Sequence, residues 1–154
     1  MPFRYPTDIS FDCSKCGLCC GDTTKKVRHV LLLKSDAERI ATYTNRKVDT
    51  FVTEAPGNLP YLYEIQKCSS GKCIFLYDNQ CTVYDVRPLI CRFYPFELST
   101  DKAGVYIFKT TDECPGICTG TVGTAKLDAN YFKKLLKLAR TDLSDRPRQP
   151  RILF

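Results

Sequence analysis

The sequence has few of the residues on which common metal and catalytic sites depend. It contains one methionine, one histidine and no tryptophan in 154 residues. A Cys₂His₂ zinc finger needs two histidines, and catalytic zinc sites of the His₃ or His₂Glu type need two or three, so these classes are excluded. The histidine, His29, lies in the apolar stretch 27–33, where we expect it to pack within a strand rather than to bind a metal.

Long apolar runs and targeting signals are also missing. Apolar runs such as Val30–Leu33 are short, far below the ~20 residues needed to cross a bilayer. The N-terminal MPFRYPTDISF has no basic segment followed by an apolar one, so we expect a cytoplasmic protein without membrane contact. An apolar fraction of 44%, a charged fraction of 26% and a mean hydropathy of -0.24 exclude a disordered chain.

Cysteine is abundant, with ten residues. Cys13, Cys16, Cys19 and Cys20 lie within a stretch of eight residues. A disulfide needs Cα atoms roughly 5.5 Å apart with opposed side chains, a geometry that neighbours such as Cys19 and Cys20 reach only with strain. Metal ligation instead requires several thiolates to converge from a short loop, and thiols stay reduced in the cytoplasm. The pattern therefore predicts all-thiolate metal centres.

The spacing of the cysteines is compatible with two kinds of centre. Cys13-x₂-Cys16-x₂-Cys19 is a run typical of ferredoxins, whose fourth ligand is often a cysteine followed by proline, and Cys114-Pro115 is such a pair. Three sulfurs from one loop would then bind three corners of an iron–sulfur cubane, and the remote cysteine the fourth. Zinc can use the same residues as separated pairs, so spacing alone does not distinguish the metals.

Short elements are expected between the cysteines. Gly17 and Gly21 allow a tight loop at 13–21. A capping box at 35–38 predicts a helix that ends near Arg46, and Asp128 is expected to cap a C-terminal amphipathic helix. Further predictions are a short helix at 48–54, strands at 27–33, 61–66, 73–77 and 104–109, and turns at 69–72 and 78–80. We expect an α+β fold, a small irregular single domain over 1–154 organised around thiolate metal centres, with a basic tail at 146–154.

Four sequence blocks together resemble a known family. They are CSKCGLCC at 13–20, CIFL at 73–76, CTVYDVRPLICRFYPF at 81–96 and CPG at 114–116. They look like the CxxCxxCC family of zinc- or iron-chelating cysteine-cluster proteins, which is similar to the cysteine domain of flagellin lysine N-methylases. The resemblance implies eight metal-binding cysteines, the number needed for two tetrathiolate centres: Cys13, Cys16, Cys19, Cys20, Cys73, Cys81, Cys91 and Cys114. Cys68 and Cys118 depart from the pattern, and for them a spare ligand, a redox-active pair and an inert thiol all stay open.

A tight loop rich in sulfur favours iron–sulfur clusters over zinc, and the apolar residues in 84–96 would exclude water from them. Arg87 and Arg92 bracket Cys91 and are expected to stabilise the negative charge of a centre. We expect a protein with one or two [4Fe–4S] clusters that acts in electron transfer or as the cluster module of a protein-modifying system, with a protein partner. The alternatives are a structural zinc module that binds partners and a cluster-dependent component of a protein methyltransferase.

The net charge and the missing motifs limit other functions. The formal net charge is +6, but each Zn²⁺ or [4Fe–4S]²⁺ core with four thiolates carries -2, so buried centres would offset much of the basic excess. Nucleic acid is therefore not expected as a partner. There is no phosphate-binding G-x-x-x-x-G-K-[ST] loop and no Cys-x₃-Cys-x₂-Cys run. Whether the protein is an enzyme is left open.

Overall fold

The structure is a computed structural model that describes residues 2–120, 125–143 and 152. The basic tail predicted at 146–154 lies outside the described residues, apart from Ile152. The described residues form three α-helices, two short 3₁₀-helices and ten short strands, which confirms the α+β class. In chain order the labelled elements are β1 (Phe3–Arg4), β2 (Ile9–Phe11), β3 (Leu31–Leu32), α1 (Lys34–Thr44), β4 (Val52–Glu54), β5 (Tyr63–Ile65), β6 (Leu76–Tyr77), β7 (Gln80–Cys81), α2 (Leu89–Phe93), β8 (Phe96–Thr100), β9 (Tyr106–Thr110), β10 (Ile117–Thr119) and α3 (Ala129–Asp142).

The chain is organised in two compact units. Residues 15–92 form one, which we call the central unit, and the described residues among 2–14 and 93–152 form the other, which we call the flanking unit. No helix in the described part of the chain is long and apolar enough to cross a membrane.

The central unit is built on an antiparallel sheet of order β3-β5-β4, in which Leu32 lies opposite Tyr63 and Val52 opposite Ile65. Helix α1 contributes Ala37 and Ile40 to the core. Each large apolar side chain buried in this way stabilises the fold by about 1.5–3 kcal/mol. The buried core residues are Val30, Leu32, Ala37, Ile40, Phe51, Val52, Ile65, Cys73, Phe75 and Val83.

Helix α1 was predicted, but its N-terminal cap differs from the predicted one. The capping residue is Leu33 rather than Ser35, and the Leu33 N–H donates to Asp36 Oδ2 at 3.0 Å. Asn45 caps the C-terminus of the helix. Its φ of 52° is left-handed, and its N–H donates to the Ala41 carbonyl. Asparagine adopts this conformation more readily than most residues.

The prediction of a short helix at 48–54 is wrong. Only Val48–Thr50 forms a 3₁₀ turn, and the following residues form β4. In β4, Val52 is buried and pairs with Ile65. The sheet gives this residue both a backbone pairing with β5 and burial of its side chain, and a helix at 48–54 would break that pairing. Of the other predicted strands in this unit, 61–66 contains β5, 73–77 contains the shorter β6, and 27–33 contains β3.

The hairpin of β6 and β7 confirms the turn predicted at 78–80. Leu76 lies opposite Cys81 and Tyr77 opposite Gln80, so only Asp78 and Asn79 form the loop. Their φ angles of 48° and 57° are those of a type I′ turn, which matches the twist of paired strands. The hairpin therefore fixes the position of Cys81.

The flanking unit holds a sheet of order β1-β9-β8, a second pairing of β2 with β10, and α3. Strand β9 overlaps the strand predicted at 104–109 and ends one residue later, at Thr110. Asp128 Oδ1 accepts the Tyr131 N–H at 3.0 Å, which confirms the predicted cap of α3. Phe132 packs against Phe96 and Phe108, each with ring centroids 5.1 Å apart, and the buried face of α3 is Phe132, Leu135, Leu136 and Ala139.

Candidate metal centre

Five cysteines of the central unit lie close together. The Sγ atoms of Cys19 and Cys20 are 3.9 Å apart. Cys73 is buried in the core of the central unit, and Cys20, Cys81 and Cys91 pack against the same core. These residues come from four separate segments of the chain, so the fold gathers thiols that are up to 72 positions apart (19 to 91). We call them the thiol cluster: Cys19, Cys20, Cys73, Cys81 and Cys91.

The loop before the cluster depends on two glycines, as predicted. Gly17 has a φ of +73° and Gly21 a φ of +121°, both in the region that favours glycine. A Cβ on Gly21 would lie 2.4 Å from the Gly71 carbonyl oxygen. This close approach lets the Cys73 N–H donate to the Cys20 carbonyl at 2.9 Å, which joins two parts of the thiol cluster.

Cys73 follows the tight turn that was predicted at 69–72. The Cys68 N–H donates to the Lys72 carbonyl at 2.7 Å, and the Gly71 N–H to the Cys68 carbonyl at 2.9 Å. Cys73 is buried, whereas Cys68 is exposed. Cys68 nevertheless acts electrostatically on Cys73, so it lies near the edge of the thiol cluster.

Cys81 and Cys91 are positioned by contacts to the core of the central unit. The Thr82 N–H donates to the Phe75 carbonyl at 2.8 Å, beside the hairpin that carries Cys81. Cys91 lies in α2, whose first residue, Leu89, donates its N–H to the buried carboxylate of Asp36 at 3.2 Å. Helix α2 was not predicted, because it is short and its apolar residues show no helical periodicity at that length.

Burial and hydrogen bonding set the pKa values of the thiols in different directions. The hydrogen bond with Cys20 lowers the pKa of Cys19 to about 7, in spite of burial. The same bond raises the pKa of Cys20 far above its usual value. Burial raises the pKa of Cys73 to about 11 and also raises the pKa values of Cys81 and Cys91. Metal binding to these thiols must therefore displace protons.

Three arginines belong to this part of the central unit. The Arg87 guanidinium lies 3.6 Å from the Tyr84 ring centre and acts electrostatically on Cys19 and Cys91. Arg92 Nη2 lies 3.6 Å from Asp36 Oδ1, and the predicted role of Arg92 beside a metal stays a prediction. Arg28 was overlooked by sequence reasoning: it is only 4% exposed and also acts on Cys19.

The remaining predicted ligands lie outside the thiol cluster. Cys16 is exposed in the central unit. Cys13 and Cys114 belong to the flanking unit, where the Asp12 N–H donates to the Gly116 carbonyl at 3.0 Å. Cys13 follows Asp12 and Cys114 lies two residues before Gly116, so both are at the same end of the β2–β10 ladder. Cys118 lies within β10 and is exposed.

The donor set suits a soft metal or an iron–sulfur cluster. All ten cysteines are within the described residues, and none forms a disulfide. Thiolates are the ligands of zinc structural sites and of iron–sulfur clusters. Within residues 2–120, 125–143 and 152, no three Cys, His, Asp or Glu side chains converge at metal-ligand spacing.

His29 is not packed within a strand, contrary to expectation. Its side chain is 62% exposed, and Nδ1 lies 2.7 Å from Glu64 Oε1. An all-cysteine ligand set without His29 stays a prediction.

Comparison with known proteins agrees with this donor set. The model of the CxxCxxCC family, described as "Putative zinc- or iron-chelating domain", matches residues 12–119. The uncharacterized protein MJ0661 of Methanocaldococcus jannaschii is 31% identical over 138 residues, which cover 84% of this chain and 68% of that protein. No solved structure matches the chain. The chain belongs to the CxxCxxCC family of zinc- or iron-chelating domains, and metal binding by its cysteines is the property that the family description supports.

Proposed function

We propose that the chain is an iron–sulfur protein in which cysteines of the thiol cluster ligate a [4Fe–4S] cluster. The placement of these thiols carries the proposal: the Sγ atoms of Cys19 and Cys20 are 3.9 Å apart, and Cys20, Cys73, Cys81 and Cys91 lie in or against one apolar core. A [4Fe–4S] cluster takes four thiolates, and the thiol cluster offers five, with Cys68 nearby. Cys13, Cys16 and Cys114 are not part of this set, and their role as ligands stays a prediction.

The surroundings of the thiol cluster support a cluster over a single zinc ion. Cys20, Cys73, Cys81 and Cys91 pack against the apolar core of the central unit, which includes Phe75 and Val83. An apolar environment limits the access of water, which protects a cluster from hydrolysis and affects its reduction potential. Such a cluster supplies one-electron transfer when bound. The polypeptide holds it, keeps water away and provides nearby positive charge.

The proposed role is electron transfer, or service as the cluster module of a protein-modifying system, with a protein partner in the cytoplasm. The all-thiol donor set is compatible with a redox-active cluster, and all ten cysteines are outside disulfides. A reducing compartment is needed to keep them so.

Anaerobic purification followed by iron, zinc and acid-labile sulfide analysis tests the proposal. We expect a brown protein with iron and sulfide in equal amounts and a visible absorption band that dithionite bleaches. The Cys118→Ser variant is a matched control, because Cys118 is exposed and lies in the flanking unit, and it should keep the same metal content. A colourless protein that holds stoichiometric zinc and does not respond to dithionite would instead establish the zinc module.

A further inference from the structure

The solvent-facing side of α3 is positively charged. The opposite side of this helix is apolar and buried in the flanking unit. Within the described part of the chain, the exposed basic side chains of α3 form no ion pair with a carboxylate. Residues 125–143 hold five lysines and arginines against two aspartates, so this stretch supplies +3 of the formal net charge of +6. We call these exposed side chains the basic face: Lys133, Lys134, Lys137 and Arg140.

The charges of the basic face repel one another along the helix. Residues three or four apart on a helix are neighbours, and like charges at these spacings destabilise it. Lys137 has a cation at both spacings, with Lys133 four residues before it and Arg140 three residues after it. Helix α1 has opposite charges at such a spacing instead, since Lys34 Nζ lies 3.9 Å from Glu38 Oε1. The helix dipole favours a cation only in the last turn, where Arg140 lies, so the stability of α3 does not account for the lysines.

The size of the basic face matches an acidic patch on another protein. Its length from Lys133 to Arg140 is about 10 Å, at about 1.5 Å per residue. Asp128 caps one end of α3 and Asp142 is its last residue, so negative charge lies near both ends of the helix. A run of phosphates along a nucleic acid extends well beyond such a length, and its binding strengthens with each phosphate neutralised. A short cationic stripe bounded by carboxylates therefore suits a compact cluster of carboxylates on a partner.

The composition of the same surface argues against the other polyanions. The exposed residues from 133 to 141 are lysine, arginine and threonine, and none is aromatic, so unpaired bases find no ring on which to stack. A helix that lies on a membrane inserts its apolar face. The apolar face of α3 is already buried, with Phe132 packed against Phe96 and Phe108. An acidic protein surface is therefore the partner to which the basic face is complementary.

We propose that the basic face of α3 is a docking surface for an acidic face of a partner protein. The lysine and arginine side chains pair with carboxylates of the partner, and the contact gives fast, reversible association that weakens as salt is added. Small interfaces of this kind are typical of electron-transfer partners. The proposal rests on the part of the proposed function that gives the chain a protein partner, and it does not depend on which metal the cysteines bind.

The test measures binding of a fluorescent helical peptide whose glutamates repeat at three- and four-residue spacing, with a glutamine version of the peptide as the blank. The full chain is compared as wild type, as Lys133→Glu/Lys134→Glu and as Lys25→Glu/Lys102→Glu. Lys25 and Lys102 are exposed and lie outside α3, so the second variant is a control with the same change of net charge. We expect Lys133→Glu/Lys134→Glu to bind the glutamate peptide at least about 10-fold more weakly at low salt, and the control to stay within about 2-fold of wild type.

Thermal unfolding separates docking from a structural role of the lysines. Each substitution in Lys133→Glu/Lys134→Glu places a carboxylate three or four residues before Lys137, which replaces repulsion by attraction. This variant should therefore unfold at a temperature no lower than wild type, although it loses the peptide. If it is less stable than wild type, Lys133→Gln/Lys134→Gln decides, because it removes the charge alone: weaker peptide binding by the folded chain supports the proposal, and wild-type affinity overturns it.

Absence of peptide binding by the wild type at low salt, or an equal loss in the α3 variant and its control, would overturn the proposal. A single-stranded RNA or a phosphatidylserine vesicle that binds the wild type more tightly than the peptide, and is lost from the α3 variant, would also overturn it, because the basic face would then bind a nucleic acid or a membrane. The iron–sulfur proposal fails separately, on iron and sulfide content. A cluster-loaded chain that does not bind the peptide overturns only the docking surface, and a zinc-loaded chain that binds it overturns only the iron–sulfur assignment.

Discussion

The buried carboxylate of Asp36 accepts a hydrogen bond from the backbone N–H of Leu89, 53 residues further along the chain, at 3.2 Å. The same carboxylate lies 2.6 Å from Arg39 Nη2 and accepts the Leu33 N–H. One side chain in α1 therefore fixes the start of both α1 and α2. Since α2 carries Cys91, this contact connects the core of the central unit to the thiol cluster.

Replacement of Asp36 by alanine should destabilise the fold and weaken metal retention. It would leave Arg39 and Arg92 without their carboxylate and two backbone N–H groups without an acceptor, a loss of about 3–5 kcal/mol. Glu38→Gln is the control, because Glu38 is exposed on the same helix and lies 3.9 Å from Lys34, and it should change stability by less than about 1 kcal/mol. Urea unfolding measures both. Equal effects of the two substitutions would contradict the role assigned to Asp36.

A methyl group at Gly21 should separate the two loops that carry Cys20 and Cys73. Gly21→Ala adds a clash with the Gly71 carbonyl to the strain of a positive φ, so we expect a loss of about 3 kcal/mol or more and weaker metal binding. Gly57 has a φ of +83°, and a Cβ at this position would meet nothing within 4 Å. Gly57→Ala should therefore lose only the backbone strain of the positive φ, about 1–2 kcal/mol. Thermal unfolding of both variants checks this. A Gly21→Ala chain as stable as Gly57→Ala would show that the close approach is unimportant.

Removal of a thiol should lower the metal content of the protein when the thiol belongs to the thiol cluster, and should leave it unchanged when the thiol lies outside the cluster. Cys91→Ser should lower the metal content retained after gel filtration, since Cys91 lies among three other thiols of the cluster. Cys118→Ser makes the same chemical change at an exposed position in β10 and should keep the wild-type content. Metal analysis of the two purified variants measures the difference. Equal retention in both would remove Cys91 from the ligand set.

The stability contributed by Asp22 should depend on pH. The hydrogen bond from Lys67, with that from the Arg28 N–H, lowers the pKa of Asp22. A carboxyl group whose pKa is lower in the folded chain stabilises the fold above its unfolded pKa of about 3.9, and this contribution is lost as the pH falls through the folded pKa. The stability difference between wild type and Asp22→Asn should therefore be constant from about pH 6 to 8 and shrink below about pH 4. Urea titrations across that range measure it, and a difference independent of pH would exclude the effect.

Local signals predicted several parts of the fold correctly. Asp128 caps α3, Asp78 and Asn79 form a hairpin turn, and Gly17 and Gly21 have positive φ angles. Each of these depends on residues that are adjacent or nearly so in the sequence. The family to which the chain belongs supports the predicted metal binding, while the all-thiolate ligand set stays a prediction.

Features that depend on distant partners were not predictable. Val52 forms a strand only because β5 lies beside it, and Arg28 is buried only because of what the rest of the central unit places around it. The grouping of Cys19 and Cys20 with Cys73, Cys81 and Cys91 also depends on tertiary contacts, such as that of Asp36 with Leu89. The resemblance to the family implied eight candidate ligands but did not divide them between centres.

X-ray absorption at the metal edge of the anaerobically purified protein tests the central claim most directly. If cysteines of the thiol cluster bind the metal, the first shell should consist of sulfur alone at about 2.3 Å, and the Cys91→Ser variant should lose sulfur from that shell. A first shell dominated by oxygen or nitrogen, or one that Cys91→Ser leaves unchanged, would contradict the account.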